Sequence, residues 1–397
     1  MTDDRRRTLL IAGGSFADIP MIRAAQALGF RVITSGNRPE DAGHSVSDQY
    51  CPADFSDGEA MLGIARAQNV DFVCPSCNDF SAISCAFVAE EMGLPGHDPL
   101  ETSLTLHHKD RFRDYAASNG LPSPRSRSFK QAAEAKRHAS TLRWPVIVKP
   151  VDLTGGKGIG RVGVDERADA AIDRAFSISR AGRIVIEEFV EGSNHGFTCF
   201  LRKGQVIFHF FDDEYYYLNR YLVSAASAPG SVPVRAIERL IEVTECMAEQ
   251  LRLVDGVFHV QFVLSGEDPV LIEVCRRPPG DLYVSFVSHA TGVDYPALIV
   301  KGYVEGDTSS YGVVGPSGCF ARHCIMCDRA GTVLAVDIDD RVQKLIIDSY
   351  TWWKPGYRVQ DHLVQKLGIV FLRYPDRQQM LGLTASLQDL IKPRMQA

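Results

Sequence analysis

Short apolar runs alternate with amphipathic segments of helical length through the first hundred residues. Residues 8–12 form an apolar run that leads into a Gly13-Gly14 turn, and the apolar positions of residues 19–28 recur at helical spacing. A second apolar run at residues 31–34 follows, and the same order then repeats. This order predicts the front half of a doubly wound parallel sheet, so we expect residues 1–97 to form an α/β domain.

The glycines of that first turn also permit a dinucleotide site. A backbone turn at a helix N-terminus can approach a pyrophosphate closely, and Gly13-Gly14 has this position. The full G-x-G-x-x-G spacing is missing, however, and Ser35-Gly36-Asn37-Arg38 stands where an acidic residue would end the second strand. We therefore favour a tight structural turn over a nicotinamide site.

A lysine ends a β-branched strand at residues 146–150, and a glycine-rich loop follows. Residues 155–160 hold four glycines around Lys157. Such a loop exposes backbone N–H groups and can fold over phosphate oxygens while the ammonium group neutralises charge. The Walker order is absent, and an ordinary hairpin turn needs only one or two glycines. The pattern predicts a phosphate-binding lid.

An apolar strand at residues 270–275 is interrupted by Glu273 and followed at once by Arg276, Arg277 and a Pro-Pro-Gly run. Burial penalises an unpaired carboxylate, so Glu273 needs a cationic partner. Carboxylate and guanidinium would emerge together where the strand ends. A metal–phosphate site and a strand-end salt bridge both account for these residues.

The segments around this strand are predicted from their patterns as well. Residues 257–264 would pair with it in a hairpin that places Gln261 beside Glu273. The acidic, tyrosine-rich segment 212–221 is predicted as a loop that touches substrate. Short strands and turns in residues 306–397 predict a C-terminal α+β lobe.

Composition narrows the class of protein. A chain of 397 residues with 45% hydrophobic and 23% charged residues predicts two or three ordinary globular domains. The formal charge of -6 disfavours nucleic acid as a partner. No apolar stretch reaches the roughly 20 residues that span a bilayer, so no membrane partner is expected and the cytoplasm is the expected location.

The ten cysteines are scattered, and several stand inside apolar runs, which is typical of reduced core residues. Two Cys-x-x-Cys pairs, Cys74/Cys77 and Cys324/Cys327, are the right residue type for zinc. They lie far apart in sequence, which disfavours a zinc site.

Taken in order, these segments resemble the ATP-grasp superfamily, and especially its carboxylate–amine ligases of the amino-acid ligase type. The motifs, in chain order, are a lysine before a G-L-P-x-P turn (Lys109 to Pro124), V-K-P (Val148 to Pro150), the glycine-rich lid (residues 155–160), E-E-F-V-E-G (Glu187 to Gly192) and E-x-x-x-R-P (Glu273 to Pro278). The resemblance implies an ATP-grasp fold of α/β and α+β parts. A Rossmann-like domain at 1–97 would precede an ATP-grasp region at 98–305, with a lid subdomain at about 125–192, and the lobe at 306–397 would complete the ligase core.

The resemblance also implies how ATP would bind. Lysines and the lid would contact the phosphates, and backbone groups of Glu188 and Val190 would bind the adenine edge. An acid usually holds the ribose where Asn194 stands. The implied nucleotide-binding residues are Lys109, Lys149, Gly155, Gly156, Lys157, Gly158, Glu187, Glu188, Phe189, Val190 and Asn194.

The metal ligands depart from the family pattern, which is an acid followed by E-x-N around two Mg²⁺ ions. This chain offers Gln261, Glu273 and Cys275 at those positions. Mg²⁺ prefers hard oxygen ligands, so a thiol is a poor replacement for an amide oxygen and Gln261 brings no charge. One Mg²⁺ held by Glu273 and Gln261 is therefore expected.

The implied activity is ATP-dependent ligation of a carboxylate to an amine through an acyl phosphate, releasing ADP, with an amino acid as one substrate. Arg277, Glu273 and Lys157 are the expected catalytic residues, and Arg277 would stabilise the transferring phosphoryl group. Arg276 points to the other strand face, which favours a structural ion pair. The partners would be a small carboxylate, a small amine and a second copy in a homodimer. The altered metal ligands leave one alternative, a nucleotide-binding protein with little turnover.

Overall fold

The computed structural model describes residues 6–142, 145–153, 155–163 and 166–396. Its first part is a four-stranded sheet in the order β3-β2-β1-β4, with every adjacent pair parallel. The elements are β1 (Thr8–Ala12), α1 (Ile19–Ala27), β2 (Arg31–Ser35), β3 (Gln49–Tyr50), α2 (Gly58–Ala67), β4 (Phe72–Pro75) and α3 (Asp79–Met92). The predicted parallel sheet is confirmed, and the fold class is the expected mixture of α/β and α+β parts.

A protein side chain occupies the space beside the turn after β1. A Cβ atom at Gly14 would lie 2.0 Å from Cε1 of His44, so the imidazole packs directly on this glycine backbone. His44 Nδ1 lies 2.9 Å from the Thr34 hydroxyl, and burial lowers the pKa of the ring. A neutral imidazole therefore occupies the space next to the turn, in line with a structural use of these glycines.

Two helices lead from this sheet into the lid. They are α4 (Leu100–His107) and α5 (Lys109–Ser118), followed by β5 (Ser126–Phe129), α6 (Ala132–Ala139), β6 (Val146–Pro150), β7 (Gly160–Val162), α7 (Asp169–Ile178) and β8 (Ile184–Glu188). The four strands form an antiparallel sheet in the order β5-β8-β6-β7. Phe129, Val148 and Ile172 are buried in a hydrophobic core that belongs to this sheet and its helices. The lid is therefore a separate layer over the rest of the molecule.

The central sheet carries the predicted hairpin. Its elements are β9 (Ser193–Arg202), β10 (Gln205–Tyr215), β11 (Ala225–Ala228), α8 (Val234–Leu251), β12 (Gly256–Ser265), β13 (Asp268–Cys275), α9 (Tyr283–Thr291) and α10 (Tyr295–Tyr303). The amphipathic helix α8 buries Leu240 and Met247 against residues of β9 and β12. The prediction of a loop from residue 212 was wrong for its first four residues, because β10 continues through Tyr215.

The C-terminal part extends the same sheet. Its elements are β14 (Cys319–Met326), β15 (Gly331–Ile338), α11 (Asp340–Gln343), β16 (Ile346–Thr351), β17 (Arg358–Val359), β18 (Lys366–Tyr374), α12 (Arg377–Thr384), α13 (Leu387–Leu390) and β19 (Ile391–Met395). The eight strands run β13-β12-β9-β10-β11-β14-β18-β16, and β17-β15-β19 form a small second sheet. The domain limits at residues 97 and 305 remain predictions. Within the described residues, no helix combines the length and apolar character that crossing a bilayer requires.

Candidate active site

A cavity of about 660 Å³ lies where the lid, the β12–β13 hairpin and the C-terminal strands meet. Side chains from every one of these layers line it, and so does Cys77, which follows β4 of the first sheet. An apolar core packs Leu9 and Ile22 with Phe286 and Leu298, so the first sheet is fixed against the central part of the molecule. This packing holds the wall that contains Cys77 in place against the central sheet.

Two of the predicted lysines line this cavity. Lys149 Nζ lies 2.7 Å from Glu187 Oε2, and Lys109 Nζ lies 2.9 Å from the Leu153 carbonyl oxygen and 3.3 Å from Glu273 Oε1. Burial lowers the pKa of Lys149, and the Glu187 carboxylate opposes that effect. Each ammonium group thus has a fixed position and a carboxylate beside it.

Glu187 was expected to bind nucleotide, and its carboxylate is fully buried and already shared between two cations. Arg113 Nε donates to Glu187 Oε1 at 2.9 Å, and Lys149 contacts the other oxygen. Burial raises the pKa of Glu187, but the two cations outweigh burial and lower it to about 2. The direct effect of this carboxylate is to hold Lys149 on the cavity wall.

The segment after β8 forms another wall. Glu188, Phe189, Val190 and Asn194, all predicted nucleotide ligands, line the cavity. The guanidinium carbon of Arg161 lies 4.1 Å from the centre of the Phe189 ring. This wall combines a flat apolar ring with a strand end, which suits the face and edge of a purine.

The glycine-rich loop is close to the residues after β10. Gly155 and Gly156 have φ angles of +67° and +73° and line the cavity, and a Cβ atom at Gly156 would lie 2.7 Å from Tyr221 Cβ. The backbone N–H of Arg161 donates to the Tyr221 hydroxyl at 2.9 Å. The described residues of the lid therefore lie folded against the cavity.

Two predicted lid residues are placed differently. Lys157 is exposed and does not line the cavity, and Gly158 is buried next to Ile178 and Pro150. Thr154, the first residue of the lid motif, lies outside the described residues. The catalytic role expected for Lys157 remains a prediction.

Gln261 and Glu273 are cross-strand neighbours of β12 and β13, as predicted, and both line the cavity. Cys275 lines it too, and burial raises the pKa of its thiol to about 12. A protonated thiol is a poor ligand for Mg²⁺. Among the described residues, no three His, Cys, Asp or Glu side chains gather as a metal site, so an ion here would take further ligands from substrate phosphates.

The two arginines after β13 have separate roles. Arg277 lines the cavity, and its Nε donates to Asp79 Oδ1 at 2.5 Å, while His107 Nδ1 lies 3.1 Å from the same oxygen. Arg276 makes the predicted structural pair, with its Nε 2.8 Å from Asp98 Oδ2. The first residue of α3 thus positions the arginine expected to face the phosphoryl group.

Sequence patterns did not single out several charged residues that also line the cavity: Glu214, Asp281, Arg322 and Lys366. Gln261 Nε2 donates to Glu214 Oε1 at 3.0 Å, and Arg322 Nη1 donates to the Asp281 carbonyl oxygen at 3.0 Å. Glu214 lies in the segment 212–221 that was predicted to touch substrate, but no motif distinguished it from its neighbours. Arg322 and Lys366 had none, because only the sheet order brings β14 and β18 here.

Comparisons with known proteins agree with this geometry. Residues 108–217 match the family described as phosphoribosylglycinamide synthetase, ATP-grasp (A) domain. A formate-dependent phosphoribosylglycinamide formyltransferase of Synechococcus sp. (strain CC9902) is 25% identical over 71% of this chain and 72% of its own. A phosphoribosylamine–glycine ligase of Pyrococcus abyssi is 26% identical over 76% of this chain and 73% of its own.

Among solved structures, the L-amino acid ligase from Bacillus licheniformis superposes with a TM-score of 0.82 and 20% identity, covering 99% of this chain and 100% of that one. At that identity, the likeness establishes the fold. Residues 108–217 thus match an ATP-grasp domain, and the whole chain shares the fold of this solved structure, with the motif residues collected in one cavity.

Proposed function

We propose that this protein forms an amide or peptide-like bond between a carboxylate and an amine through an acyl phosphate, with an amino acid as one substrate. The observation that carries the proposal is a single cavity lined by Lys109, Lys149, Glu273 and Arg277. Two of the similar proteins are ligases by name, an L-amino acid ligase and a phosphoribosylamine–glycine ligase.

The lysines and the lid account for binding of the ATP phosphates. Lys109 and Lys149 place two ammonium groups on the wall, held by Glu273 and Glu187 respectively. Backbone N–H groups of the glycine-rich loop add donors without side-chain bulk. A triphosphate brings several negative charges, and buried cations stabilise them more than exposed cations do.

Glu273 and the amide oxygen of Gln261 fit one Mg²⁺ ion, because Mg²⁺ prefers hard oxygen ligands. When bound, Mg²⁺ would neutralise charge on the phosphate oxygens. Arg277 offers a guanidinium that can contact two oxygens at once, and Asp79 fixes its direction. This side chain would stabilise the phosphoryl group as the substrate carboxylate attacks it.

An acyl phosphate hydrolyses readily, so the site must exclude water until the amine arrives. The described lid residues already contact Tyr221 across the cavity. Closure of this layer over bound nucleotide would supply the exclusion.

The test is incubation with ATP, Mg²⁺ and pairs of acids and amines drawn from an amino-acid panel. We expect ADP and phosphate to form only when an acid and an amine are both present, with an amide as the other product. Formation of AMP and pyrophosphate would contradict the acyl-phosphate route.

The alternative function is a nucleotide-binding protein with little turnover. The observation that favours it is the pair Gln261 and Cys275, which leaves Glu273 as the one carboxylate at the three family metal positions. Calorimetry that detects ATP binding, combined with no ADP from any substrate pair, would support this alternative.

Two further predictions accompany the ligase. We propose that the protein works in the cytoplasm, where ATP and Mg²⁺ are available and its ten cysteines would stay in the free form seen in the structure. We also propose that it forms a homodimer, which light scattering of the purified protein would test.

A further inference from the structure

A second group of reactive side chains lies on the face of the central sheet that turns away from the cavity. Gly192, just before β9, and Asn194 line the cavity. Because side chains alternate along a strand, Ser193 and His195 point to the opposite face. His195 pairs in register with Asp213 of β10, so these two side chains meet on that face. Ser193, His195 and Asp213 are not among the residues that line the cavity.

These three side chains form one continuous chain of hydrogen bonds. Ser193 Oγ lies 2.6 Å from His195 Nε2, and His195 Nδ1 lies 3.0 Å from Asp213 Oδ1. A nucleophile, a base and a carboxylate that orients the base stand in the same order in serine hydrolases, which are recognised by this geometry and not by sequence position. Both contacts fall in the range of about 2.6–3.2 Å that such an arrangement requires.

Two acceptors place the imidazole proton of His195 on Nδ1. Besides the carboxylate of Asp213, the backbone carbonyl oxygen of Asp212 lies 3.3 Å from this nitrogen. A neutral imidazole carries a single N–H, so a proton on Nδ1 leaves Nε2 as an acceptor. The Ser193 hydroxyl therefore donates its proton to Nε2. Proton movement in this direction is what turns a serine hydroxyl into a nucleophile.

Packing fixes the base and the carboxylate, while the serine stays open to solvent. His195 is 1% exposed, and its ring lies nearly parallel to that of Phe262, with 5.2 Å between the ring centres. Asp213 accepts a hydrogen bond from the Ser231 backbone N–H at 2.6 Å and another from the Ser231 hydroxyl at 2.9 Å. Ser193 is exposed. A reagent can therefore reach the hydroxyl without any movement of the groups behind it.

We propose that Ser193 is a nucleophilic serine that hydrolyses small activated esters, with His195 as its base and Asp213 orienting that base. The Ser193 O–H bond breaks, its proton moves to His195 Nε2, and Oγ forms a bond to the acyl carbon. The bond from that carbon to the alcohol oxygen breaks, and the alcohol leaves with the proton from His195. Water then attacks the acyl-serine with the same base, which releases the acid and restores the Ser193 hydroxyl. This activity is separate from the proposed ligation.

The position of Ser193 at the surface sets the class of substrate. An exposed serine offers a substrate little buried area, so little binding energy is available to activate a stable ester or an amide. A positioned base contributes about 10²–10⁴-fold to a rate. That contribution is enough for esters that carry a good leaving group and a small acyl group, such as p-nitrophenyl acetate.

The experiment uses diisopropyl fluorophosphate, which reacts with serines that a neighbouring base activates. The full-length protein is incubated with this reagent without ATP, and the modified serines are located by peptide mass spectrometry. Ser128 is the internal reference, because it is also an exposed serine on a strand. We expect Ser193 to be modified at least about 100-fold faster than Ser128. The same protein should release p-nitrophenol from p-nitrophenyl acetate.

Variants separate the nucleophile from the base. Ser193→Ala should abolish modification at this position and p-nitrophenol release, whereas the control Ser128→Ala should keep the wild-type rates. His195→Gln removes the base, and Asp213→Asn keeps its shape but no longer holds the proton on Nδ1. Each should slow modification of Ser193 by at least about 100-fold. Thermal unfolding of every variant would establish that it is folded, and Asp213→Asn carries the test if the buried His195→Gln does not fold.

Three results would overturn the proposal. Ser193 could react no faster than Ser128, which would mean that its hydroxyl only completes the hydrogen bonds of a buried imidazole. Modification of Ser193 at the wild-type rate in folded Asp213→Asn would show that the histidine and the carboxylate do not activate it. Release of p-nitrophenol that persists in Ser193→Ala would place the ester hydrolysis elsewhere in the molecule.

Discussion

At the scale of single residues, three cations predicted from motifs, Lys109, Lys149 and Arg277, are held in the cavity by partners far away in sequence. Lys149 and Arg277 could be predicted, because each stands next to a strand end and has local motif neighbours. Their environment includes Arg113, 74 residues from Glu187, and Asp79, 198 residues from Arg277. No local pattern marks these partners, because they are brought close only by tertiary packing.

The pair of Asp79 and Arg277 gives the first prediction at this scale. Asp79→Asn should lower kcat by up to about 100-fold with little change in the KM for ATP, because Arg277 would lose its fixed direction. Steady-state kinetics would measure this. Glu101→Gln, which removes an exposed carboxylate paired with Arg111, is the control and should keep wild-type kcat. An unchanged kcat in folded Asp79→Asn would refute the positioning role.

Cys275 gives the second prediction. Burial keeps its thiol protonated, so replacing it with asparagine would supply the amide oxygen that Mg²⁺ prefers. Cys275→Asn should lower the Mg²⁺ concentration needed for half-maximal ADP formation by about tenfold, which corresponds to one added ligand contact of about 1.4 kcal/mol. Cys275→Ala offers no ligand and should leave the required Mg²⁺ concentration unchanged. A similar gain in both variants would mean that packing, and not ligation, limits the site.

At the scale of elements, most strands and helices could be predicted from their periodicity. The prediction for β10 ended too early, and its sequence shows why. Its apolar run ends at Phe211, and the following acidic residues are typical of loops. The chain stays extended because Asp213 pairs with His195 of β9 and with Ser227 of β11. Strand pairing therefore overrides local composition, and the missed extension carries Glu214.

The lid gives the prediction at this scale. Gly156→Ala should raise the KM for ATP by about tenfold, because the added Cβ atom would lie 2.7 Å from Tyr221 Cβ and the backbone has φ of +73°. Gly182→Ala is a matched control, since Gly182 has φ of +61° and open space around its Cβ position. It should lower stability by about 1 kcal/mol and leave the KM unchanged. Equal KM values for both variants would contradict lid closure against Tyr221.

At the scale of the whole molecule, the cavity exists because one sheet continues from the β12–β13 hairpin into the C-terminal part. That continuity places Arg322 of β14 and Lys366 of β18 in the same cavity as Glu273. Motif order was enough to predict the fold and to name several residues that meet in this cavity. Segment 212–221 was predicted to touch substrate, but the positions of Arg322 and Lys366 could not be predicted, because they depend on sheet order.

The buried carboxyl of Asp212 makes the stability of the molecule depend on pH. Its pKa is raised to about 7 by burial and by Glu214, against attraction by Arg322 and the hydrogen bond that the Gly196 N–H donates. The native state therefore binds more protons than the unfolded state between about pH 4 and 7, so this group costs stability as pH rises. Asp212→Asn should remove that cost.

We expect Asp212→Asn to raise the free energy of unfolding more at about pH 8 than at about pH 5, with a difference of at most about 3 kcal/mol. Thermal unfolding at both pH values, with Asp213→Asn as the control, would measure it. A gain that is the same at both pH values would show that Asp212 does not titrate in this range.

The most direct test of the central claim follows one oxygen atom. A substrate whose carboxylate carries heavy oxygen is incubated with ATP, Mg²⁺ and the amine, and the released phosphate is examined by mass spectrometry. Attack of that carboxylate on the γ-phosphate predicts that each inorganic phosphate carries one labelled oxygen, because the bond to carbon breaks when the amine attacks. Unlabelled phosphate, or label found in AMP, would contradict the acyl-phosphate mechanism.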